Sequence, residues 1–230
     1  MTGAGYPQLR ACGGWRRWRG RDSVEAMPPC FKIEKPYPEP LAGVDEAGCA
    51  PLAGPVVAAA VILDRVKFPR GIDDSKVVPA PLRERICAKL YQVARVGVGI
   101  ASVEEIDSLN IYWARMLAMT RAVDALGLNP EMVLVDGNRC PKWERPSVAI
   151  VAGDAKSRSI AAASIVAKVT RDRIMAEHAR EWPGYGWETN KGYPTPDHCR
   201  ALKELGPTPL HRRSFARVRE QMQLELIAAE

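Results

Sequence analysis

Residues 41–57 read LAGVDEAGCAPLAGPVV, an apolar run that ends on two adjacent carboxylates, Asp45 and Glu46, and continues through closely spaced glycines. Two later segments repeat the pattern, since 132–137 reads MVLVDG and 148–154 reads VAIVAGD. Short runs rich in Val and Ile are typical of buried strands, and open α/β sheets place their chemistry at strand ends. The pattern therefore predicts a sheet that brings several acids to one edge.

The acids at these strand ends are Asp45, Glu46, Asp136 and Asp154. One acid alone would more often lie in a solvated turn or cap a helix. Four carboxylates in one place would repel one another unless a cation lay between them, and hard divalent cations prefer oxygen ligands. The sequence therefore predicts a catalytic Mg²⁺ or Mn²⁺ site. Because strand neighbours face opposite sides, Asp45 would point into this site, whereas Glu46 would need a local twist or would contribute its backbone carbonyl.

The composition bounds the class of protein. The 230 residues, 47% of them hydrophobic and 26% charged, suffice for one well-buried core. No apolar run is long enough to span a bilayer. The six cysteines have neither a C-x-x-C pair nor zinc-like spacing, which favours free thiols in a reducing compartment. We therefore expect a cytoplasmic protein without membrane contact.

Residues 1–38 are expected to form a separate, disordered leader. They contain an Arg/Trp cluster at 15–21 followed by several prolines, and they lack helical or strand periodicity. Seven Lys and Arg against three Asp and Glu give this segment +4 of the net charge of +6. The cluster could stack on single-stranded nucleic acid, or the segment could lie upstream of a start at Met27. Overall charge is therefore weak support for a nucleic-acid partner.

The folded domain is expected to span 39–230, with a helical C-terminal part from about 182. Three strands come first and helices then alternate with strands, which favours an α/β fold with a mixed sheet covered by helices. The predicted strands lie near 42–46, 55–63, 95–101, 132–135 and 148–151; the predicted helices begin near 104, cover 112–126 and 157–180, and resume at 197.

Further polar residues are candidates for contacts with a phosphodiester backbone. Ser164, Lys168 and Arg171 are spaced i, i+4 and i+7 and so share one helical face, although an ordinary solvated face would show the same spacing. The turn DDSK at 73–76 and the basic segment HRRSF at 211–215 are similar candidates. The histidines lack ligand spacing, and no nucleophile motif occurs, so catalysis by a side-chain nucleophile is not expected.

Together these motifs resemble the bacterial type 2 ribonuclease H family, ribonuclease HII. The resemblance implies a ribonuclease H-like fold: a mixed five-stranded sheet flanked by helices, with a C-terminal helical extension. The matching segments occur in the family's order over about 41–218: GVDEAG at 43–48, PLAGPVV at 51–57, DSK at 74–76, EIDSLNI at 105–111, VDGNRCPK at 135–142, GD at 153–154, IAAASIVAKVTRD at 160–172, KGYPT at 191–195 and HRRSF at 211–215.

The resemblance also implies a function. It implies a monomeric endoribonuclease that hydrolyses the RNA strand of RNA–DNA hybrids and cuts 5′ of ribonucleotides embedded in duplex DNA, leaving 5′-phosphate and 3′-hydroxyl ends. Two Mg²⁺ or Mn²⁺ ions would act in catalysis. Tyr193 would stack on the sugar of the deoxynucleotide after the ribonucleotide. The residues that match the family's catalytic and metal-binding acids are Asp45, Glu46, Asp136 and Asp154, and those expected to bind substrate are Gly48, Cys49, Ala50, Ser75, Lys76, Ser164, Lys168 and Tyr193.

One position departs from the family. Gly-Arg-Gly or Gly-Lys-Gly follows Asp-Glu-Ala in the family, whereas this chain has Gly48, Cys49 and Ala50. Loss of the cation removes a phosphate contact, and Ala50 would restrict a backbone that needs positive φ. We therefore expect intact cleavage chemistry with a weakened or altered reading of the RNA–DNA junction.

Three other functions compete with this interpretation. A nucleic-acid-binding protein with a decayed site is disfavoured by the four intact acids. A resolvase or transposase of related fold is disfavoured by the paired Asp-Glu and by the segments 51–57 and 191–195. A small-molecule-binding α/β module would need a phosphate-cradling glycine fingerprint, which the chain lacks.

Overall fold

The computed structural model describes residues 28–228, and its centre is a single sheet. The strands are β1 (Leu41–Ala47), β2 (Val56–Ile62), β3 (Arg95–Ala101), β4 (Met132–Asp136) and β5 (Ser147–Ile150). They are arranged in the order β3-β2-β1-β4-β5. β1, β2 and β3 pair antiparallel, whereas β1, β4 and β5 are parallel. The expected α/β fold with a mixed five-stranded sheet is confirmed.

Helices account for most of the remaining described chain. A short 3-10 helix, Phe31–Ile33, precedes β1. The helices are α1 (Ala80–Val93), α2 (Val103–Leu109), α3 (Ile111–Asp124), α4 (Arg158–Glu181), α5 (Trp187–Asn190), α6 (Pro196–Leu205) and α7 (Ala216–Ala228). Helix α1 was not predicted from the sequence, although its buried Ile86, Cys87 and Leu90 have helical spacing.

The sheet is covered on both faces. The core on one face contains α4 and α1, and the core on the other contains α3. Glycine lets the helices approach closely: a Cβ on Gly43 of β1 would lie 2.2 Å from the carbonyl carbon of Ser159 in α4. A Cβ on Gly99 of β3 would lie 2.1 Å from the carbonyl oxygen of Ala118 in α3. Small residues on the strands therefore set the distance between the sheet and its helices.

Local capping signals fix where the helices near the sheet edge begin. Ser102 and Glu105 form a reciprocal capping box at the start of α2. Asn110, at φ 67°, separates α2 from α3, and its side chain accepts hydrogen bonds from the first amides of α3. Ser157 caps α4, since its hydroxyl accepts a hydrogen bond from the Ile160 amide at 3.2 Å. These caps determine the residues at which α2, α3 and α4 begin.

The expected boundary of the leader at residue 38 needs correction. Residues 28–38 pack against the N-terminus of α4, where Glu34 is only 1% exposed. Glu34 accepts hydrogen bonds from the Ser157 hydroxyl at 2.7 Å and from the amide and hydroxyl of Ser159 at 2.9 and 2.8 Å. A carboxylate at this end of a helix also interacts favourably with the helix dipole. Residues 1–27, which hold the Arg/Trp cluster, lie outside the described residues.

The C-terminal part contributes α5, α6 and α7 and packs against the end of α4. Met175 of α4 shares an apolar cluster with Tyr185, Trp187 and Ala201, and with Ala53 from the loop between β1 and β2. This part therefore lies next to the loop that follows the paired carboxylates. Within residues 28–228, no helix is both long and apolar enough to cross a membrane.

Candidate active site

The parallel strands bring the predicted acids to one edge of the sheet. β1 and β4 are paired up to the residues that precede Asp45 and Asp136. Asp136 pairs in turn with Ile150 at the end of β5, and the following turn carries Asp154 just before α4. Asp45 and Asp154 are each only 6% exposed. Strand β1, strand β4 and the turn after β5 are distant in sequence, and each contributes a buried or half-buried carboxylate at the same end of the sheet.

Burial and mutual repulsion raise the pKa values of three of these acids. The pKa of Asp45 lies well above its usual value, first because the group is buried and then because of the charges of Glu46, Asp136 and Asp154. Burial also raises the pKa of Glu46, although the charge of Arg115 opposes this change. Burial is likewise the main cause of the raised pKa of Asp136. Such a cluster gains stability when a cation binds, because an opposite charge favours the ionised carboxylates.

Backbone amides orient the aspartates. Asp45 Oδ1 accepts a hydrogen bond from the Glu46 amide at 2.7 Å. Asp136 Oδ1 accepts one from the Gly153 amide at 2.6 Å, which ties the end of β4 to the turn after β5. Asp154 Oδ1 accepts one from the amide of the next residue at 2.9 Å. Each aspartate is therefore held by the chain that surrounds it.

The Glu46 carboxylate is held from α3 and from the following loop. Arg115 Nη1 donates to Glu46 Oε1 at 3.2 Å, and the Cys49 thiol lies 3.6 Å from the same oxygen. Burial, together with the charge of Glu46, raises the pKa of Cys49 to about 12, so its thiol is protonated at neutral pH. Arg115 was not predicted as a site residue, because nothing in the spacing of α3 links it to a residue on β1.

Lys76 and Ser75 join the site through the turn before α1. Lys76 Nζ lies 3.0 Å from Asp154 Oδ2. Burial lowers the pKa of Lys76, but the hydrogen bond and the charge of Asp154 outweigh that effect and raise it overall. The Ser75 amide donates to the Ser164 hydroxyl at 3.3 Å, while Arg83 donates to the Ser75 carbonyl at 2.5 Å. Ser164 thus positions this turn from α4 and is itself 2% exposed.

The chemistry of the side chains around the acids fits a divalent cation, although their present geometry is open. Within residues 28–228, no three acidic, histidine or cysteine side chains converge closely enough to hold a metal ion as they stand. Glu46 Oε2, however, is buried without any hydrogen-bond partner. Three neighbouring acids also have raised pKa values. An orphaned carboxylate oxygen among repelling acids fits a hard cation, and binding would require these side chains to turn toward one another.

Arg171, His211 and Arg212 do not lie where they were predicted from the sequence, whereas Arg213 and Ser214 of the same basic segment are exposed. Arg171 is 1% exposed, and His211 and Arg212 are fully buried, so none of the three can contact a duplex backbone directly. Arg171 and Arg212 instead donate to backbone carbonyls of the loop 48–55. The helical spacing correctly placed Ser164, Lys168 and Arg171 on one face, but that face is largely covered by other parts of the chain.

Tyr193 and Lys168 lie together next to this loop. The Tyr193 side chain is 38% exposed, and Lys168 Nζ lies 5.9 Å from the centre of its ring. Lys168 also pairs with Asp172 at 2.7 Å. The Leu52 amide donates to the Gly192 carbonyl at 2.8 Å, which joins the turn before Tyr193 to the loop 48–55. Of that loop, Gly48 is buried, Cys49 half-buried and Ala50 exposed.

A pair of buried histidines fixes the backbone at Tyr193. His211 Nδ1 accepts a hydrogen bond from the Thr208 amide at 2.9 Å, so its proton lies on Nε2, 3.2 Å from His198 Nε2. His198 Nδ1 then donates to the Tyr193 carbonyl at 2.9 Å, and Trp187 also donates to His198. Burial lowers the pKa of both histidines, and His198 helps to lower that of His211 to about 3. Scattered in the sequence, these histidines are neutral structural groups.

Comparisons with known proteins agree with this architecture. A family model described as Ribonuclease HII matches residues 42–218. A Ribonuclease HII of Rhizorhabdus wittichii is 66% identical over 83% of this chain and 94% of its own length, and one of Parvibaculum lavamentivorans is 55% identical over 87% and 77%. The crystal structure of the ribonuclease H2 from Pyrococcus horikoshii superposes with a TM-score of 0.69 at 28% identity, covering 80% of this chain and 97% of that one. The chain belongs to the ribonuclease HII family of ribonuclease H enzymes.

Proposed function

We propose that the protein is an endoribonuclease that hydrolyses the RNA strand of RNA–DNA hybrids and also cuts on the 5′ side of ribonucleotides embedded in duplex DNA. The observation that carries this proposal is the gathering of Asp45, Glu46, Asp136 and Asp154 at one sheet edge in a chain of this family. The products would carry 5′-phosphate and 3′-hydroxyl ends.

The four acids would hold two divalent ions, Mg²⁺ or Mn²⁺, through their carboxylate oxygens. When bound, these ions supply activation of the attacking water and stabilisation of the leaving 3′ oxygen. Arg115 keeps Glu46 oriented through its ion pair. Lys76 contacts Asp154 now and would neutralise substrate phosphate once Asp154 binds the cation. The buried Glu46 Oε2, which lacks a partner, supports the assignment of this residue as a ligand.

The substrate is proposed to lie across the loop 48–50, Lys168 and Tyr193. The exposed part of the Tyr193 ring would stack on the sugar of the deoxynucleotide at an RNA–DNA junction. The 2′-hydroxyl is the chemical mark that distinguishes RNA from DNA at such a point. Lys168 would contact backbone phosphate, whereas Ser75 and Ser164 would act by positioning Lys76.

The protein is proposed to act in the cytoplasm as a monomer. The five cysteines among the described residues are free thiols, which is usual in a reducing compartment.

The first experiment compares three end-labelled duplexes in the presence of Mg²⁺ or Mn²⁺. They contain one embedded ribonucleotide, an all-RNA strand on DNA, or DNA alone. We expect metal-dependent cutting of the first two, with the cut immediately 5′ of the lone ribonucleotide, and no cutting of DNA. The matched variants are Asp45→Asn, which should lose activity, and Asp64→Asn, which replaces an exposed turn acid and should retain it.

Three other results would each contradict a different part of the proposal. Cutting of the long hybrid alone would support ribonuclease H activity and refute the proposed recognition of single embedded ribonucleotides. Cutting that survives in Asp45→Asn would refute the assignment of the acids. Binding of the hybrid without cutting under any metal would favour a nucleic-acid-binding protein, the alternative that Cys49 raises.

A further inference from the structure

Two buried guanidinium groups lie beneath the loop that follows the paired carboxylates. Arg171 comes from α4 and Arg212 from the segment before α7, and they are 1% and 0% exposed. Neither forms an ion pair within residues 28–228. Two acids, Asp172 and Asp107, interact electrostatically with these arginines without contacting them. Asp172 is already paired with Lys168, and Asp107 accepts hydrogen bonds from the backbone amides of residues 213 and 214. Buried charges are costly unless they are paired, so this arrangement calls for an explanation.

Backbone carbonyls satisfy the donors of both guanidiniums. Arg212 donates to the carbonyl oxygens of Gly48 at 2.6 Å, Cys49 at 3.0 Å and Gly54 at 2.8 and 2.9 Å. Arg171 donates to Ala53 and Pro55 at 3.0 Å and to Lys191 at 2.9 Å. The hydrogen bonds hold the loop in place but leave the two positive charges unneutralised.

Arg171 also links the loop to the turn that carries Tyr193, because Lys191 belongs to that turn. Gly48, at φ +98°, packs directly on the Arg171 guanidinium, since a Cβ at Gly48 would lie 2.0 Å from Arg171 Nε. Arg171 therefore connects the two segments that are proposed to touch the substrate, and Arg212 holds the first of them.

The carbonyl contacts determine which way the loop amides point. In a planar trans peptide, the N–H points away from the C=O of the preceding residue. Since the carbonyls of Gly48 and Cys49 face Arg212, the amides of Cys49 and Ala50 point away from it. Neither amide donates to an acceptor among the described residues, and Ala50 is exposed. Successive unpaired amides form a concavity that suits an anion.

We propose that Arg171 and Arg212 are positioning residues that form the electrostatic base of a phosphate-binding loop. They turn the amides of Cys49 and Ala50 outward and supply, from beneath, positive charge that the side chain at position 49 lacks. The ligand is a phosphodiester group of the nucleic-acid strand, whose negative charge balances the unpaired guanidiniums. This inference rests on the proposed function.

The test measures the binding of an RNA–DNA hybrid in EDTA, where no cleavage occurs, as a function of salt. Arg212→Gln removes the charge, whereas Arg212→Lys keeps the charge but loses the planar fork of donors. Arg95→Gln is the matched control for net charge, because Arg95 pairs with Ile62 at the opposite end of the sheet. Circular dichroism and thermal unfolding establish that each variant is folded.

Arg212→Gln should weaken binding about tenfold and reduce the slope of log Kd against log salt by about one, the change expected for one lost phosphate neutralisation. Arg212→Lys should keep the slope of the wild type. With metal, Arg212→Gln should raise KM more than it lowers kcat. A salt slope for Arg212→Gln equal to those of Arg95→Gln and the wild type would overturn the proposal.

A measurement on the unaltered protein does not depend on whether a variant folds. Adding the hybrid in EDTA should shift the ¹⁵N–¹H resonances of Cys49 and Ala50, and unshifted resonances at saturation would also overturn the proposal. If the wild type neither binds nor cuts the hybrid, the proposed function fails. If it does both but Arg212→Gln behaves like the control, only the role of the guanidiniums fails.

Discussion

At the scale of single residues, the acids of the site combine burial with mutual repulsion. Asp45 experiences the charges of three neighbouring carboxylates, while Glu46 has one oxygen paired with Arg115 and the other without a partner. Groups held in this way work against folding whenever they are ionised, because both burial and like charges disfavour the anion. Without metal, the wild type should therefore be less stable than a variant in which one of these four acids is replaced by its amide.

We expect Asp45→Asn to stabilise the metal-free protein near pH 8 while abolishing cleavage. Because the folded-state pKa of Asp45 is raised, its stabilising contribution is present below its unfolded pKa and is lost as the pH rises through the folded value. The gain should therefore shrink at acidic pH. In EDTA, the unfolding temperature of Asp45→Asn should be higher than that of the wild type by about 2 °C or more. Asp64→Asn should show no such increase in unfolding temperature. A lower unfolding temperature for Asp45→Asn would contradict the claim that repulsion among the four carboxylates destabilises the metal-free protein.

The departure at Cys49 permits a second residue-scale prediction. Ala50 is absent from the residues with positive φ, so glycine at that position gains no conformation that the loop uses. Cys49→Arg with Ala50→Gly should tighten binding to a duplex with one ribonucleotide by roughly tenfold, through a charge-assisted phosphate contact, and Cys49→Arg alone should account for the gain. Cys49→Met controls for side-chain size. Unchanged affinity and activity in the double variant would refute the hypothesis that Cys49 and Ala50 weaken recognition of the RNA–DNA junction.

At the scale of elements, close packing of helices on the sheet decides where the acids lie. Gly43 is two residues before Asp45, and α4 crosses β1 directly above it. Gly99 permits a similar approach of α3 to β3. These glycines therefore let α4 and α3 pack closely on the strands that precede the candidate site.

Gly43→Ala should cost more than about 2 kcal/mol of unfolding free energy, because the added methyl meets the α4 backbone and neither element can move independently. It should also lower kcat by displacing Asp45. The matched change is Gly127→Ala, where nothing lies within 4 Å but φ is +71°. That variant should cost only about 1 kcal/mol, from backbone strain. Chemical denaturation would compare the two, and equal costs would show that α4 yields easily.

At the scale of the whole molecule, metal binding should couple the site to stability. Adding Mg²⁺ or Mn²⁺ to EDTA-dialysed protein should raise the unfolding temperature, because a ligand that binds only the folded state stabilises it by mass action. The rise should disappear in Asp45→Asn and in Asp136→Asn, and it should persist in Asp64→Asn. An equal rise in all four proteins would place the metal elsewhere.

Much of the architecture could be predicted from the sequence, because it depends on local patterns. The apolar runs that end on Asp45 and Asp136 have the composition of buried strands, and Ser157 marks the start of α4. The order of these motifs also indicated the family and hence the five-stranded sheet. The placing of Pro28–Pro38 in a leader was wrong because Glu34 finds its partners on α4, more than a hundred residues away.

The sequence by itself determined the strands, the helices α3 and α4 and the acids at the strand ends, because the relevant signals span only a few neighbouring residues. Only the tertiary structure decided that Arg171 and Arg212 are buried beneath the loop 48–55 and that Arg115 pairs with Glu46. An arginine on a helix has the same local pattern whether it faces solvent or the carbonyls of a distant loop. Its environment is fixed by long-range packing, since only the assembled fold brings those carbonyls within hydrogen-bonding distance.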